Sequence, residues 1–333
     1  KYLIEWKKSK NKMPLIVKGA RQIGKTESIK NFGLNNYKSL IEINFVLQPE
    51  YKDIFDKGFE IDRVIKDITL KNGNFQFIPG ETLIFFDEIQ DYPSCATALK
   101  AFREDGRFDI ICSGSLMGIN YEEIESNSVG NKIDYIMHSL DFEEYLWAIN
   151  DEVTIPTIRE SFEKRKPLGD AIHRRIMKSF RTYMVVGGMP QAVDAYVSGK
   201  SYEQIDFVKR NILSLYEEDL AKYDTENREK ASVIYRTIPE QLENKNSHFK
   251  LSMVDKNARY QNYMDAVSFI SEAMIGNECI NVTKPEVALD LFADRSNFKL
   301  YMGDTGLLVT QIMKNRDSTD EDLYKALIID NLG

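Results

Sequence analysis

Cysteine and histidine are scarce in this chain of 333 residues. There are three of each: Cys95, Cys112 and Cys279, and His138, His173 and His248. Their wide spacing offers neither a zinc site nor a disulfide framework, which fits a reducing compartment and a cytoplasmic location. No apolar run reaches the roughly 18 residues that a membrane-spanning helix needs, and no signal peptide opens the chain, so no membrane partner is expected. Positive charge is in short supply overall. Lys and Arg number 44 against 52 Asp and Glu, a net charge of −8, which excludes a nucleic-acid protein built on bulk basicity while leaving room for a local patch. No internal repeat or low-complexity tract occurs. The chain begins at Lys1 rather than Met and reads as a trimmed segment. Its length is too great for one typical core and predicts two or three domains.

What is present is a loop built for phosphate. Gly19-Ala-Arg-Gln-Ile-Gly24-Lys25-Thr26 follows the apolar run Leu15–Val17 and fits G-x-x-x-x-G-K-[ST]. Glycines at these positions let successive backbone N–H groups curl around a β-phosphate. Lys25 supplies a charge for the β- and γ-phosphates, Thr26 a hydroxyl for Mg²⁺, and the helix that follows points its positive end at the anion. Arg21, Gln22, Ile23 and Glu27 complete the candidate nucleotide-binding set. About sixty residues on, Thr82-Leu-Ile-Phe-Phe86-Asp87-Glu88 reads as a buried strand ending in two acids. Asp87 is the candidate Mg²⁺ ligand, and Glu88 the candidate base that orients or deprotonates water. ATP and Mg²⁺ are the ligands these two motifs imply.

Further elements place the motifs. Strands are predicted at Leu15–Val17, Ser39–Phe45, Leu83–Phe86, Phe108–Cys112 and Ile133–Ile136, alternating with helices, which predicts a parallel sheet covered on both faces. The first helix after the loop is expected to stop at Gly33, helical spacing runs from Tyr51 to Ile68, and Ser94 and Asp141 are candidate caps. Ser113, at the tip of the fourth strand, is a candidate sensor of the γ-phosphate or a plain turn residue. From about residue 150 the pattern becomes helical, with segments at Ser161–Lys166, Asp170–Val185, Gln191–Val197 and Tyr202–Tyr223, and a sharp break at Gly187-Gly188-Met-Pro190. Residues 228–313 follow the order helix, short helix, helix, hairpin, as in a winged helix. Lys245, Lys250, Lys256 and Arg259 would form its DNA-facing surface, or else a solvated face of a packing domain. The expected organisation is therefore an ATPase sheet domain over 1–150, a helical lid or linker over 151–227, a winged-helix-like α+β domain over 228–313 and the start of a further region over 314–333.

These stretches together resemble a prokaryotic family of AAA-type P-loop ATPases that carry a domain of unknown function, DUF4143. The resemblance rests on Lys18–Thr26, Leu83–Gln90, Ser113–Leu116, Leu140–Trp147, Tyr183–Ala192 and Phe298–Leu307, and covers nearly the whole chain. It implies an ATPase domain, a winged-helix-like unit and a C-terminal domain similar to restriction endonucleases, which would begin about where this chain stops and is therefore expected to be absent. The family often has Gly followed by Arg or Lys near residue 130; here Gly130 is followed by Asn131 and then Lys132. The leading functional reading is a slow ATP-hydrolysing switch with an unidentified protein partner or self-association. The alternatives are a nucleic-acid-binding regulator and an interaction scaffold with little hydrolysis. A trans-acting arginine would stabilise the transition state, with Arg103, Arg107, Arg174, Arg175 and Arg181 as candidates.

Overall fold

A computed structural model of the chain describes residues 1–115, 130–227, 229–243, 248–255 and 259–313. The chain divides into two compact units, 1–137 and 138–333. In the first, α1 (Tyr2–Lys8), β1 (Leu15–Gly19), α2 (Lys25–Asn36), β2 (Ser39–Asn44), α3 (Ile61–Lys71), β3 (Thr82–Asp87), α4 (Ser94–Asp105), β4 (Asp109–Ser115) and β5 (Ile133–Ile136) follow one another. The five strands form one sheet in the order β2-β3-β4-β1-β5, and every pairing is parallel.

Alternation along the strands divides the core. Ile16, Ile41, Ile43, Ile84, Phe86, Ile110 and Cys112 pack with α3 and α4 on one face. Leu15, Val17, Leu83, Phe85 and Ile111 pack with Trp6 of α1 and with Ile29 and Phe32 of α2 on the other. A sheet buried on both faces has strands that read as continuous apolar runs, as Thr82–Phe86 does. Because all strands run the same way, their C-terminal ends share one edge. The register sets Asn44 opposite Asp87, Phe86 opposite Cys112 and Val17 opposite Ser113, so Asn44, Asp87 and Ser113 stand level beside the end of β1.

Three local expectations are corrected. Helix α2 does not stop at Gly33 but runs on to Asn36. A Cβ at Gly33 would lie 2.8 Å from Leu40 Cδ1, so this glycine serves close approach of helix to sheet rather than termination. The helix expected from Tyr51 begins at Ile61. Ile54 and Phe55 are buried from turns, and burial alone produced the helical spacing. Ser94 is the first residue of α4, and Pro93 occupies the cap position without a side-chain cap.

The second unit contains α5 (Phe142–Ala148), α6 (Thr154–Glu163), α7 (Asp170–Val186), α8 (Pro190–Val197), α9 (Tyr202–Asn227), α10 (Lys230–Glu243), α11 (Tyr260–Glu272), the antiparallel pair β6 (Gly276–Val282) and β7 (Ala293–Met302), and α12 (Thr305–Met313). Asp141 caps α5 through a complete capping box with Glu144, as the sequence predicts. Lys245, Lys256 and residues 314–333 lie outside the described residues. Lys250 and Arg259 flank the short turn Leu251–Met253 and the start of α11.

Two glycine-rich blocks far apart in sequence meet here. A Cβ on Gly187 would sit 2.9 Å from Gly306 Cα, and one on Gly188 2.0 Å from the Leu140 carbonyl oxygen. Buried Asp304 accepts from Gly188 N–H at 2.7 Å and from Leu307 N–H at 3.0 Å, so one carboxylate caps α12 and holds the α7–α8 break. Buried Lys209 donates to the carbonyls of Val185 at 2.8 Å and Gly306 at 3.3 Å. Burial pushes its ammonium down to about 8, against the pull of Asp206 and Asp304. Removing one partner from a buried charge cluster strands the other. Asp304→Ala is therefore expected to cost about 3–5 kcal/mol in urea denaturation, the range for a broken buried pair, and Asp304→Asn, which keeps an acceptor, distinctly less. A loss of stability too small to measure in Asp304→Ala would refute this role.

Candidate functional site

The loop between β1 and α2 is shaped by three positive-φ residues: Gly19 (φ 155°), Gln22 (φ 64°) and Gly24 (φ 85°). A Cβ at Gly19 would be 2.4 Å from both the Met137 carbonyl oxygen and Ile23 Cδ1, so glycine is required there. Ile23 is buried and anchors the loop, whereas Gln22 and Glu27 face solvent and Arg21 is half-buried. The Glu27 side chain accepts from Asn31 one turn on, at 3.0 Å, so any role of Glu27 at the loop falls to its backbone. The first N–H groups of a helix have no partner within it, and Gly24 at the cap of α2 carries no side chain to satisfy them. They form a donor set for an anion.

Lys25 folds back over this loop. Its ammonium donates to the Gly19 and Ala20 carbonyls at 2.8 and 2.7 Å. Burial pushes its pKa down to about 8; Glu88 and Asp87 oppose the shift and Arg21 adds to it. Thr26 Oγ1 donates to Asp87 Oδ2 at 3.0 Å. The hydroxyl and carboxylate that the sequence assigned to one cation therefore meet, although they lie 61 residues apart.

Asp87 collects more than that. Asn44 Nδ2 donates to its Oδ2 at 3.0 Å, Glu88 N–H to its Oδ1 at 3.1 Å, and the Ser113 hydroxyl to its Oδ1. Ser113 is fully buried, so in this state it is a donor to the acid. Asn44 is a site residue that sequence reasoning missed. The available signal was a polar residue at the end of the strand beside the acid-bearing one. Its Oδ1 accepts from Val46 and Leu47 N–H at 3.0 and 2.9 Å, which fixes the amide so that its NH₂ faces Asp87.

Glu88 sits in the left-handed region, φ 55° and ψ 47°, an unfavourable conformation for a side chain with a Cβ. The Gln90 amide donates to its carboxylate, a second contact not foreseen. A Cβ at Gly114 would lie 2.8 Å from Gln90 Oε1, so the glycine between Ser113 and Ser115 makes room for that amide. Among the arginines, Arg107 precedes β4, at the opposite edge of the parallel sheet, and is held by Asp105 and Asp62. Arg103 lies in the last turn of α4 and donates to the Gly130 carbonyl at 2.6 Å. Neither is brought to the loop of its own unit. Arg174, Arg175 and Arg181 belong to the second unit. Lys132, beside Asn131, pairs with Asp134 at 2.6 Å. Among the described residues no group of three or more His, Cys, Asp or Glu forms a metal cluster. A cation shared between one carboxylate, one hydroxyl and substrate phosphates, the usual Mg²⁺ arrangement, needs none.

Residues 11–146 match the family model of the AAA domain, and residues 177–318 match a domain of unknown function, DUF8612. The second model differs from the DUF4143 that the resemblance implies. The Walker-type ATPase PABY2304 of Pyrococcus abyssi has a similar structure, with a TM-score of 0.50, 12% identity and 93% of each chain covered. The fold is that of a P-loop NTPase. The ORC1 protein of Aeropyrum pernix, solved in complex with DNA, is matched over 94% of this chain and 89% of its own at 9% identity, with a TM-score of 0.32, too low to carry an argument. No curated protein matches the chain. The AAA match and the P-loop fold support a P-loop ATPase in general terms, and nucleotide binding with it. No helix among the described residues is long and apolar enough to cross a membrane.

The close contacts at Gly19 yield a direct expectation for the P-loop. Gly19→Ala should displace the loop from β5's end and lower stability by about 2 kcal/mol, within the usual range for a strained substitution, and it should abolish nucleotide-induced thermal stabilisation. An alanine variant that melts with the wild type and still gains stability from ATP would contradict the reading.

Proposed function

We propose that the first unit binds ATP with Mg²⁺ and hydrolyses it slowly, as a switch that acts on an unidentified partner. The observation that carries this reading is the meeting of Thr26 with Asp87 beside the Lys25 loop. The residues fit the cation: Thr26 and Asp87 would hold Mg²⁺, which when bound neutralises phosphate charge and aids departure of the γ-phosphoryl group. Lys25 would exchange its two loop carbonyls for phosphate oxygens, which are stronger acceptors. The N–H groups of the loop and of the first turn of α2 would orient the β-phosphate. Asn44 and Ser113 keep the Asp87 carboxylate facing Thr26, and Ser113 would report changes there to β4. Glu88, displaced from the strand line by its left-handed backbone, would accept the proton of the attacking water.

Lys25→Ala is expected to abolish ATP affinity in isothermal titration with the fold intact. Glu88→Gln should still bind ATP and lose about 10²-fold or more in turnover, the scale of a lost general base. Unchanged affinity in the first variant or unchanged turnover in the second would remove that residue from the mechanism.

A pH dependence follows from Lys25. Its ligand-free pKa is lowered to about 8, and only the ammonium form attracts phosphate. ATP affinity should be at its plateau below about pH 7 and fall as pH rises through 8 towards 9.5, by at most about tenfold per unit. An affinity that stays flat over that span would show that Lys25 keeps its proton and is not desolvated as described.

A further inference from the structure

Gln90 lies two residues beyond the candidate base, and its side chain is buried. A buried carboxamide is costly unless it is hydrogen-bonded. Its Nε2 donates to Glu88 Oε2. The amide has one workable orientation, because a carboxylate only accepts and only the nitrogen end of the amide donates.

The backbone beneath this amide is fixed. Asp91 N–H donates to the Glu88 carbonyl at 3.0 Å, and Tyr92 N–H to the Ile89 carbonyl at 3.0 Å. Ile89 is fully buried, and Tyr92 stacks on Phe55 with ring centroids 5.8 Å apart. The far end of the amide meets the tip of β4, where a Cβ at Gly114 would lie 2.8 Å from Gln90 Oε1. The preceding residue, Ser113, donates to Asp87. The tip of β4 therefore reaches both acids of the site, Asp87 through a hydroxyl and Glu88 through Gln90.

Glu88, by contrast, is only half-buried, and a long side chain loses conformational freedom when it is held in one rotamer. Its carboxylate faces the phosphate loop, since it is the foremost of the charges that raise the Lys25 pKa against burial. Holding Oε2 sets the direction in which Oε1 accepts a proton.

We infer that Gln90 is a positioning residue for hydrolysis, which fixes the Glu88 carboxylate in the orientation of a general base and ties that orientation to the tip of β4. This inference rests on the ATPase reading of the same site. A general base works only within hydrogen-bond reach of the proton it takes, and small misplacements of a reacting group lose large factors in rate. Gln90 acts through Glu88 rather than on the nucleotide, so it governs turnover and not ATP affinity.

The test is steady-state ATP turnover by the full chain, with ATP affinity from isothermal titration. Gln90→Met keeps the length of the side chain and removes its donors. It should lower kcat by about tenfold or more and leave ATP affinity unchanged. In a Glu88→Gln background the same substitution should cost nothing further, whereas a merely structural residue would lower turnover equally in both backgrounds. Gly114→Ala crowds only the end of the amide and serves as the second variant. It too should lower kcat with affinity retained, and should cost nothing further once Gln90→Ala has removed the amide. A wild type that hydrolyses ATP while Gln90→Met and Gly114→Ala keep or gain kcat overturns this inference alone, as does an equal loss in both Glu88 backgrounds. A wild type that binds ATP without turnover overturns the ATPase reading, and this inference with it.

Discussion

The carboxylate of Asp87 is the contact on which the candidate site depends. A buried acid must find donors or impose a heavy desolvation cost. Asp87, 3% exposed, takes its donors from four places: Thr26 on α2, Asn44 on β2, Ser113 on β4 and the N–H of Glu88. Each comes from a different segment of chain. Satisfying one acid therefore fixes the start of the phosphate-loop helix against three strand ends. The same arrangement leaves Lys25 desolvated between loop carbonyls and two acids, able to exchange weak acceptors for strong ones.

Much of this was legible in the sequence because it is local. The loop signature, the apolar run ending in Asp87-Glu88 and the alternation of strands with helices each arise within a few residues, and the five-stranded parallel sheet follows from them. Asn44 and Gln90 were not legible as site residues. Their roles come from strand register and from the space left at Gly114, which are properties of the assembled sheet. The misread helix at Tyr51 has the same origin. Ile54 and Phe55 are buried by tertiary packing, and their spacing imitates a helical stripe. Gly33 shows the converse, since a residue that commonly ends helices is kept here for helix–sheet contact.

In the second unit, the family resemblance rested in part on the blocks Tyr183–Ala192 and Phe298–Leu307, which contain Gly187-Gly188 and Gly303–Gly306. Their physical basis is mutual. The two backbones approach closely enough that side chains are excluded, and Asp304 and Lys209 tie the peptide groups left at the breaks.

The central claim is that Thr26 and Asp87 form one half of a cation site that completes itself on a nucleotide. The most direct test is the affinity of a fluorescent ATP analogue measured with Mg²⁺ and with EDTA, in the wild type and in Asp87→Asn, which keeps the shape of the side chain and removes its charge. The account predicts that Mg²⁺ tightens binding at least tenfold in the wild type and has little effect in the variant. Equal affinity with Mg²⁺ and with EDTA in the wild type, or a full Mg²⁺ effect in Asp87→Asn, would contradict it.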